Sequence, residues 1–341
     1  MSNDTRTIRL AGSNTVFVAR EDDNLLRAGL RAGIGLPYEC NAGGCGSCKF
    51  ELVGGEIREL WPLAPGLSAK DRQRGRHLAC QCVALTDCEI KIRLSDSFIA
   101  ATLPERFNAQ FLGSQPVTAD IREFRFRGPG PARFAPGQYA LLTLVNETQP
   151  RAYSMSNLPN EEGEWAFMVR RVPGGKISPV LFDAMHEGDS VAIDGPLGFA
   201  HWRPDSARDI VCIAGGSGIA PIVSIANASL GASQRQGKAI WLFYGGRSPV
   251  DIPAFDAWLH DMSGVKLHAA ISAQDDQAMP QKAWTGERGF IHEVVGRKLE
   301  GDMAAHEYYL AGPPPMIETL VRMLIVDHKV PSEQIHYDRF F

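Results

Sequence analysis

Four cysteines constrain this chain more than anything else in it. Pro37-Tyr38-Glu39-Cys40-Asn41-Ala42-Gly43-Gly44-Cys45-Gly46-Ser47-Cys48 sets three of them at C-x4-C-x2-C, and Cys80 follows in Leu78-Ala79-Cys80-Gln81. That is the spacing of a plant-type [2Fe–2S] site, in which each iron takes two thiolates. A loop must then present three sulfurs to one small inorganic core. Gly43, Gly44 and Gly46 are expected to take positive φ and to let backbone N–H groups approach the sulfides. Zinc would need paired cysteine knuckles, and Cys80 has no such partner, since Cys82 lies only two residues on. A disulfide framework fits poorly with an odd count of 7 cysteines and no secretory signal.

The 341 residues are enough for two or three domains. A formal net charge of −4, with no run of Lys or Arg, argues against a nucleic-acid partner. No apolar stretch approaches the ~20 residues that span a bilayer, so no membrane association is expected. The opening Met1-Ser2-Asn3-Asp4-Thr5-Arg6 has no apolar signal core, and the protein is expected to be cytoplasmic. Cys82, Cys88 and Cys212 read as buried or surface thiols in a reducing compartment.

The first domain is expected over residues 1–96 as a compact β-rich unit. Residues 7–10 and 15–18 alternate like the arms of a hairpin. Residues 24–33 carry apolar side chains three and four apart behind Asn24, an N-cap residue, and this helix leads into the cysteine loop. Strands are expected at 49–53 and 88–94. The segment Leu60-Trp61-Pro62-Leu63-Ala64-Pro65-Gly66 is apolar and Pro-rich: a rigid surface loop, or a docking patch for an electron acceptor.

A second domain, 105–204, shows short strands separated by Gly/Pro turns, as in an antiparallel barrel. Within it Arg151, Tyr153 and Ser154 offer what a flavin requires: a cation for the diphosphate, a flat aromatic for the ring and a hydroxyl near N5. Val169, Arg170, Gly175, Lys176, Ile177 and Ser178 follow, and the glycines open a helix expected over 179–185 whose N-terminus suits an anion. Residues 194–198 read as a tight turn beside it. The third domain, 207–341, begins with a continuous apolar strand at 209–214, then Gly215-Gly216-Ser217-Gly218-Ile219-Ala220-Pro221, then a helix expected over 222–229. Strand, glycine turn and helix form a dinucleotide-binding arrangement. Pro221 stands where a third glycine would, and no acid lies about 20 positions on, so the simple dehydrogenase version is excluded. Gly216–Pro221, Tyr244–Arg247 and Ala311–Met316 are expected around one crevice, because ligands bind at the carboxyl ends of such strands.

In this order the cysteine loop, RxYS, GGKIS, GPLG, GGSGIAP and AGPPPM resemble the ferredoxin-NADP reductase superfamily with an N-terminal plant-type ferredoxin domain. PYECNAGGCGSCK, LWPLAPGLS, RHLACQC and IHYDRFF are similar to the reductase components of toluene-type diiron monooxygenases. The resemblance implies a multidomain α+β and α/β fold: a β-grasp ferredoxin domain, an antiparallel β-barrel for FAD and a doubly wound parallel sheet for NADH. It implies that Cys40, Cys45, Cys48 and Cys80 ligate the cluster. FAD is implied at Arg151, Tyr153, Ser154, Val169, Arg170, Gly175, Lys176, Ile177 and Ser178, with Tyr153 and Ser154 nearest the chemistry. NADH is implied at Gly216, Ser217, Gly218, Arg247, Gly312, Pro313 and Met316. Many members have Cys where Ala311 stands. Phe340 and Phe341 could cover the flavin or pack in the core.

NADH gives up two electrons as hydride and the cluster accepts one at a time, so FAD must mediate. The expected partner is a Rieske-type ferredoxin or a diiron hydroxylase component, served by a monomer. A rival within the class is the reductase of a Rieske dioxygenase or of a deoxysugar pathway; a rival outside it is a scaffold with vestigial sites. Glu39, Glu51, Glu56 and Glu59 against Lys49 and Arg58 suggest a mildly negative docking rim near residues 60–65.

Overall fold

Alternation in Thr5–Leu10 (β1) and Val16–Arg20 (β2) buries Ile8 and Phe17 opposite one another in an antiparallel hairpin. The computed structural model describes residues 4–144, 149–232, 238–273, 284–299 and 301–340. Asn24 caps the helix Leu25–Arg31 (α1), its side chain accepting from the Arg27 N–H, and the helix buries Leu25, Leu26 and Leu30. Lys49–Gly54 (β3), Ile57–Glu59 (β4), Ala69–Gln73 (α2), Arg76–Leu78 (β5), Cys82–Ala84 (β6) and Cys88–Lys91 (β7) complete the first domain. Its sheet runs β2-β1-β7-β3-β5 with β1 and β7 parallel, the β-grasp order, and β4 pairs β6 apart from it. Its core continues without a break into Tyr139, Leu141 and Leu197 of the second domain.

That domain is built from Glu105–Pro116 (β8), Ile121–Arg127 (β9), Tyr139–Leu144 (β10), Arg151–Ser154 (β11), Glu164–Arg170 (β12), Ser178–Asp183 (α3) and Ser190–Leu197 (β13). The antiparallel order β11-β10-β13-β8-β9-β12 is all but closed by a bridge from Met155 to Phe167. Residues 194–197 extend β13 rather than forming a turn; the chain reverses at Gly198, whose φ is +94°.

Among the described residues of the third domain, every strand pair is parallel. Asp209–Gly215 (β14), Ile219–Gly231 (α4), Ile240–Gly246 (β15), Val265–Ile271 (β16), Glu287–Arg288 (β17), Ile291–Lys298 (α5), His306–Gly312 (β18), Pro314–Arg322 (α6) and Ile335–Arg339 (β19) form a sheet ordered β17-β16-β15-β14-β18-β19. Alternation along β14 assigns its two faces. Cys212 and Ala214 pack under α4, whereas Val211 and Ile213 pack with Val294 of α5 and Leu320 of α6. The order reverses at β14, where a ligand crevice opens. Helix α4 begins three residues before the expected start and takes Pro221 into its first turn, where no N–H is needed. Strand β19 had no counterpart in the sequence reading; its polar residues hide an edge strand that pairs Gly312 with Arg339.

Candidate redox centre and nucleotide cleft

The four cysteines converge as two pairs. Hydrogen bonding from the Cys40 thiol holds Cys45 down to about 5 and pushes Cys40 up. The Cys80–Cys48 contact likewise raises Cys80 and lowers Cys48. Two sulfurs for each iron is the division a [2Fe–2S] core requires. Backbone N–H groups already point at sulfur: Ala42 and Cys45 toward Cys40 at 3.4 and 3.3 Å, and Ser47 toward Cys45 at 3.5 Å. Gly46 is needed, at φ +78°, because a Cβ there would stand 2.4 Å from the Gly66 carbonyl oxygen. Gly43 also takes positive φ, but Gly44 does not; Asn41 adopts that conformation instead, at φ 51°. The buried Asn41 amide has no protein partner on either polar atom, as suits a wall facing an anionic sulfide core. The donor set fits the cluster.

Asn24, the cap of α1, also donates from Nδ2 to the Cys80 carbonyl at 2.8 Å and so fixes the fourth cysteine, a role its capping position alone did not reveal. Cys82 points instead toward Glu59 and His77, all three buried or half-buried, and burial pushes its thiol up. Two of the four acids of the expected rim, Glu39 and Glu51, face arginines. Glu39 is paired with Arg339, Glu51 lies 3.6 Å from Arg76, Glu59 meets His77 at 2.7 Å, and Lys49 is itself bound to Asp71 at 2.8 Å. Leu60, Trp61 and Leu63 are exposed, the last at 78%, while Ala64 is fully buried and anchors the segment.

In the barrel, alternation along β11 puts Tyr153 and Ser154 on opposite faces. Tyr153 packs with the barrel core and burial raises its hydroxyl to about 12, whereas Ser154 is buried on the other face, directly opposite Tyr139. Tyr139 in turn donates its hydroxyl to the Glu39 carbonyl at 2.8 Å, one residue before Cys40. The Gly198 N–H donates to Tyr38 at 3.0 Å, and the Tyr38 and Phe199 rings lie 5.1 Å apart. The cysteine loop is therefore seated against β10, the strand that pairs with the one carrying Ser154, and against the segment after β13. Arg151 is exposed beside it, Lys176 is exposed, and Val169 and Ile177 are buried in the core, able to meet a cofactor chiefly through backbone. Ser178 spends its hydroxyl on its own loop, accepting from the Val172 N–H at 2.9 Å; helix α3 is shorter than expected, and Gly175 sits half-buried before it.

A cleft of about 500 Å³ opens at the carboxyl ends of β14, β15 and β18, lined by Gly216, Tyr244, Arg247, Pro313 and Met316. Arg170, expected in the flavin set, joins them from the barrel, held by Asp120 at 2.6 Å. Ser217, Gly218 and Gly312 do not line it. Gly218 has a packing duty, since a Cβ there would lie 2.0 Å from the Ala311 oxygen. Ala311 is buried. The sequence reading missed Asp251, which accepts from the Arg247 and Ser248 N–H groups at 3.1 and 2.9 Å, and the exposed Phe290 on the rim. Neither falls in a recognisable spacing from the glycine turn. Phe340 packs on the core of the third domain, its N–H donating to Gly312 at 3.0 Å; Phe341 lies outside the described residues.

A thiolate loop, a barrel with an aromatic and a hydroxyl on opposite faces of one strand, and a nucleotide cleft sharing an arginine with that barrel define a flavin-dependent electron-transfer oxidoreductase. Comparison with known proteins agrees. The family model for a 2Fe-2S iron-sulfur cluster binding domain matches residues 8–85, that for an oxidoreductase FAD-binding domain 109–202, and that for an oxidoreductase NAD-binding domain 212–322. The chain is 43% identical over 323 residues to a ferredoxin–NAD(P)(+) reductase, CarAd, of Metapseudomonas resinovorans, covering 93% of this chain and 94% of that one. It is 35% identical to the ferredoxin–NAD(+) reductase component of an alkene monooxygenase system of Xanthobacter autotrophicus, covering 95% and 97%. The solved structure of a ferredoxin reductase in carbazole 1,9a-dioxygenase superposes with TM-score 0.91 at 38% identity over 99% of each chain.

This chain belongs to the family of ferredoxin–NAD(P)+ reductases that carry their own [2Fe–2S] domain. It is an NADH-dependent electron-transfer reductase that uses FAD and a [2Fe–2S] cluster.

Proposed function

We propose that this protein is the reductase component of a bacterial multicomponent monooxygenase acting on aromatic hydrocarbons, and that it delivers electrons to a Rieske-type ferredoxin or to the diiron hydroxylase itself. Its domains run over 1–96, 105–204 and 207–341, limits within which all three family-model matches fall. When bound, FAD supplies the exchange between a two-electron hydride donor and a one-electron cluster. FAD would be held at its ring by Tyr153 and Ser154, and at its diphosphate by Arg151, Arg170 and the loop over residues 175–178. Gly216, Arg247, Pro313 and Met316 seat NADH, while Ser217, Gly218 and Gly312 shape the turns beneath it. Cys40, Cys45, Cys48 and Cys80 hold the cluster. The observation that carries this reading is the short link from Ser154 across its strand partner Tyr139 to Glu39, adjacent to Cys40.

Docking through exposed Leu60, Trp61 and Leu63 is favoured over charge steering, because Arg339 and Arg76 offset two of the four nearby acids. The three cysteines outside the ligand set, Cys82, Cys88 and Cys212, are buried and unbridged, which suits a reducing cytoplasm. Among the described residues no helix is long and apolar enough to cross a membrane, and we read the protein as a monomer. A second reading, reductase of a ring-hydroxylating dioxygenase, is favoured by the likeness to the carbazole dioxygenase reductase. The test is NADH-driven reduction of a purified Rieske-type ferredoxin and, separately, of a diiron hydroxylase, followed by absorbance. Trp61→Ala should slow reduction of the true acceptor while NADH-to-dye activity persists. A colourless purified protein, or failure to reduce either acceptor, rejects the proposal.

A further inference from the structure

The last strand of the nucleotide domain ends on the cysteine loop. Arg339 of β19 donates from Nε and Nη2 to one Glu39 carboxylate oxygen at 3.0 and 2.7 Å, and from Nη2 to the other at 2.9 Å. The partners are 300 residues apart in sequence and each keeps only about a quarter of its side chain exposed, 24% and 25%. Glu39 immediately precedes Cys40, and the Cys45 sulfur lies within electrostatic reach of the guanidinium. Burial works against the Arg339 charge, yet the hydrogen bonds and charge of Glu39 outweigh it, so the side chain is held firmly cationic. A bidentate fork also fixes direction in a way a lysine would not. The same end of β19 is tied to the nucleotide turn, with Gly312 in register with Arg339.

We propose that Arg339 is a positioning residue for the iron–sulfur centre: it holds the segment before Cys40 and sets a fixed positive charge beside the cluster, which favours the reduced form. The inference rests on the assignment of Cys40, Cys45, Cys48 and Cys80 as ligands. Reduction transfers one electron, supplied by NADH through FAD, to a centre that already carries four thiolates. One more negative charge is added, and a nearby cation in a partly dry setting stabilises it. Glu39 acts in the opposite sense, so the two members of the pair have separable signs.

The experiment is an equilibrium redox titration of the purified holoprotein with mediators, read from the EPR signal of the reduced cluster. Arg339→Gln should lower the reduced-to-oxidised ratio at a given poise about tenfold, ~59 mV for a one-electron couple. Glu39→Gln should raise the ratio, and the double variant should return toward wild type. Arg339→Lys should stay nearer wild type than Arg339→Gln. A purely structural tether predicts potentials shifted in one common direction, or unshifted with a broadened signal, and either result overturns the proposal. If Arg339→Gln assembles no cluster, Glu39→Gln decides alone: a potential that does not rise overturns it. A wild-type protein without the cluster signal would overturn the ligand assignment as well, whereas a normal wild-type signal with unmoved variants overturns only the role of Arg339.

Discussion

The contact between the first two domains includes a cluster of four charges beside its apolar core, and removing one of them should be costly. Arg31 of α1 meets Asp194 of β13 at 2.6 Å and also pairs with Asp23, while Arg27 lies 3.6 Å from each of the two aspartates. The aspartate side chains are only 6–7% exposed. Burial pushes the Asp194 carboxyl up, and the two arginines bring it only part of the way back. At an effective dielectric near 20, each close pair is worth about 4 kcal/mol before desolvation. Asp194→Asn forfeits two such attractions, relieves one repulsion with Asp23, and leaves two arginines sharing a single aspartate. Breaking a buried charge set in this way costs about 3–5 kcal/mol. Arg31 remains partly solvated, which points to the lower end, about 3 kcal/mol, or more than a hundredfold in the ratio of docked to undocked domains. The assay is stopped-flow absorbance with NADH. Flavin bleaching should keep its wild-type rate, while cluster reduction should slow and become heterogeneous, and urea unfolding should separate into two steps. Replacing Arg31 and Asp194 together by Met and Leu should recover much of the loss, because an apolar contact incurs no charge desolvation. Stability within about 0.5 kcal/mol of wild type for Asp194→Asn, with unchanged cluster reduction, would refute the reasoning.

Serine at Cys40, Cys45, Cys48 or Cys80 should abolish or cripple the iron–sulfur absorbance and EPR signal while flavin absorbance remains, and serine at Cys82 or Cys88 should leave both; loss with Cys82→Ser but not with Cys80→Ser reverses the ligand assignment. NADH should exceed NADPH by about tenfold or more in kcat/KM, since Asp251 sets a carboxylate beside Arg247 where a 2′-phosphate would need cations; equal values reject the preference. Burial, reinforced by the Glu39 charge, raises the Asp338 carboxyl from 3.8 to about 7. Between those values the folded protein keeps a proton that the unfolded chain has released, so stability falls as pH rises through the window and the loss is complete above it. Asp338→Asn should therefore match wild type near pH 4 and exceed its Tm progressively up to pH 7; a constant difference across that range would exclude Asp338 as the cause.

The ligand loop, the RxYS strand and the glycine turn were legible because each is contiguous: spacing along a few residues already dictates which atoms can meet one small group. The apolar run from Asp209 and the alternation in β1 and β2 likewise announced a buried parallel strand and a half-buried hairpin. Strand β19 was not legible, for its residues look like a polar tail until β18 offers them an edge. Nor did the charges reveal their partners. Glu39, Glu51 and Glu59 counted as an acidic rim in sequence, yet folding brings Arg339, Arg76 and His77 against them. The same holds for Asn24 on Cys80, Tyr139 on Glu39 and Arg170 at the nucleotide cleft. Sequence states which groups exist and how their neighbours along the chain are spaced. Long-range pairing depends instead on which faces of three separately folded units are buried against one another, a choice made by summed packing over whole surfaces and written in no single stretch of residues.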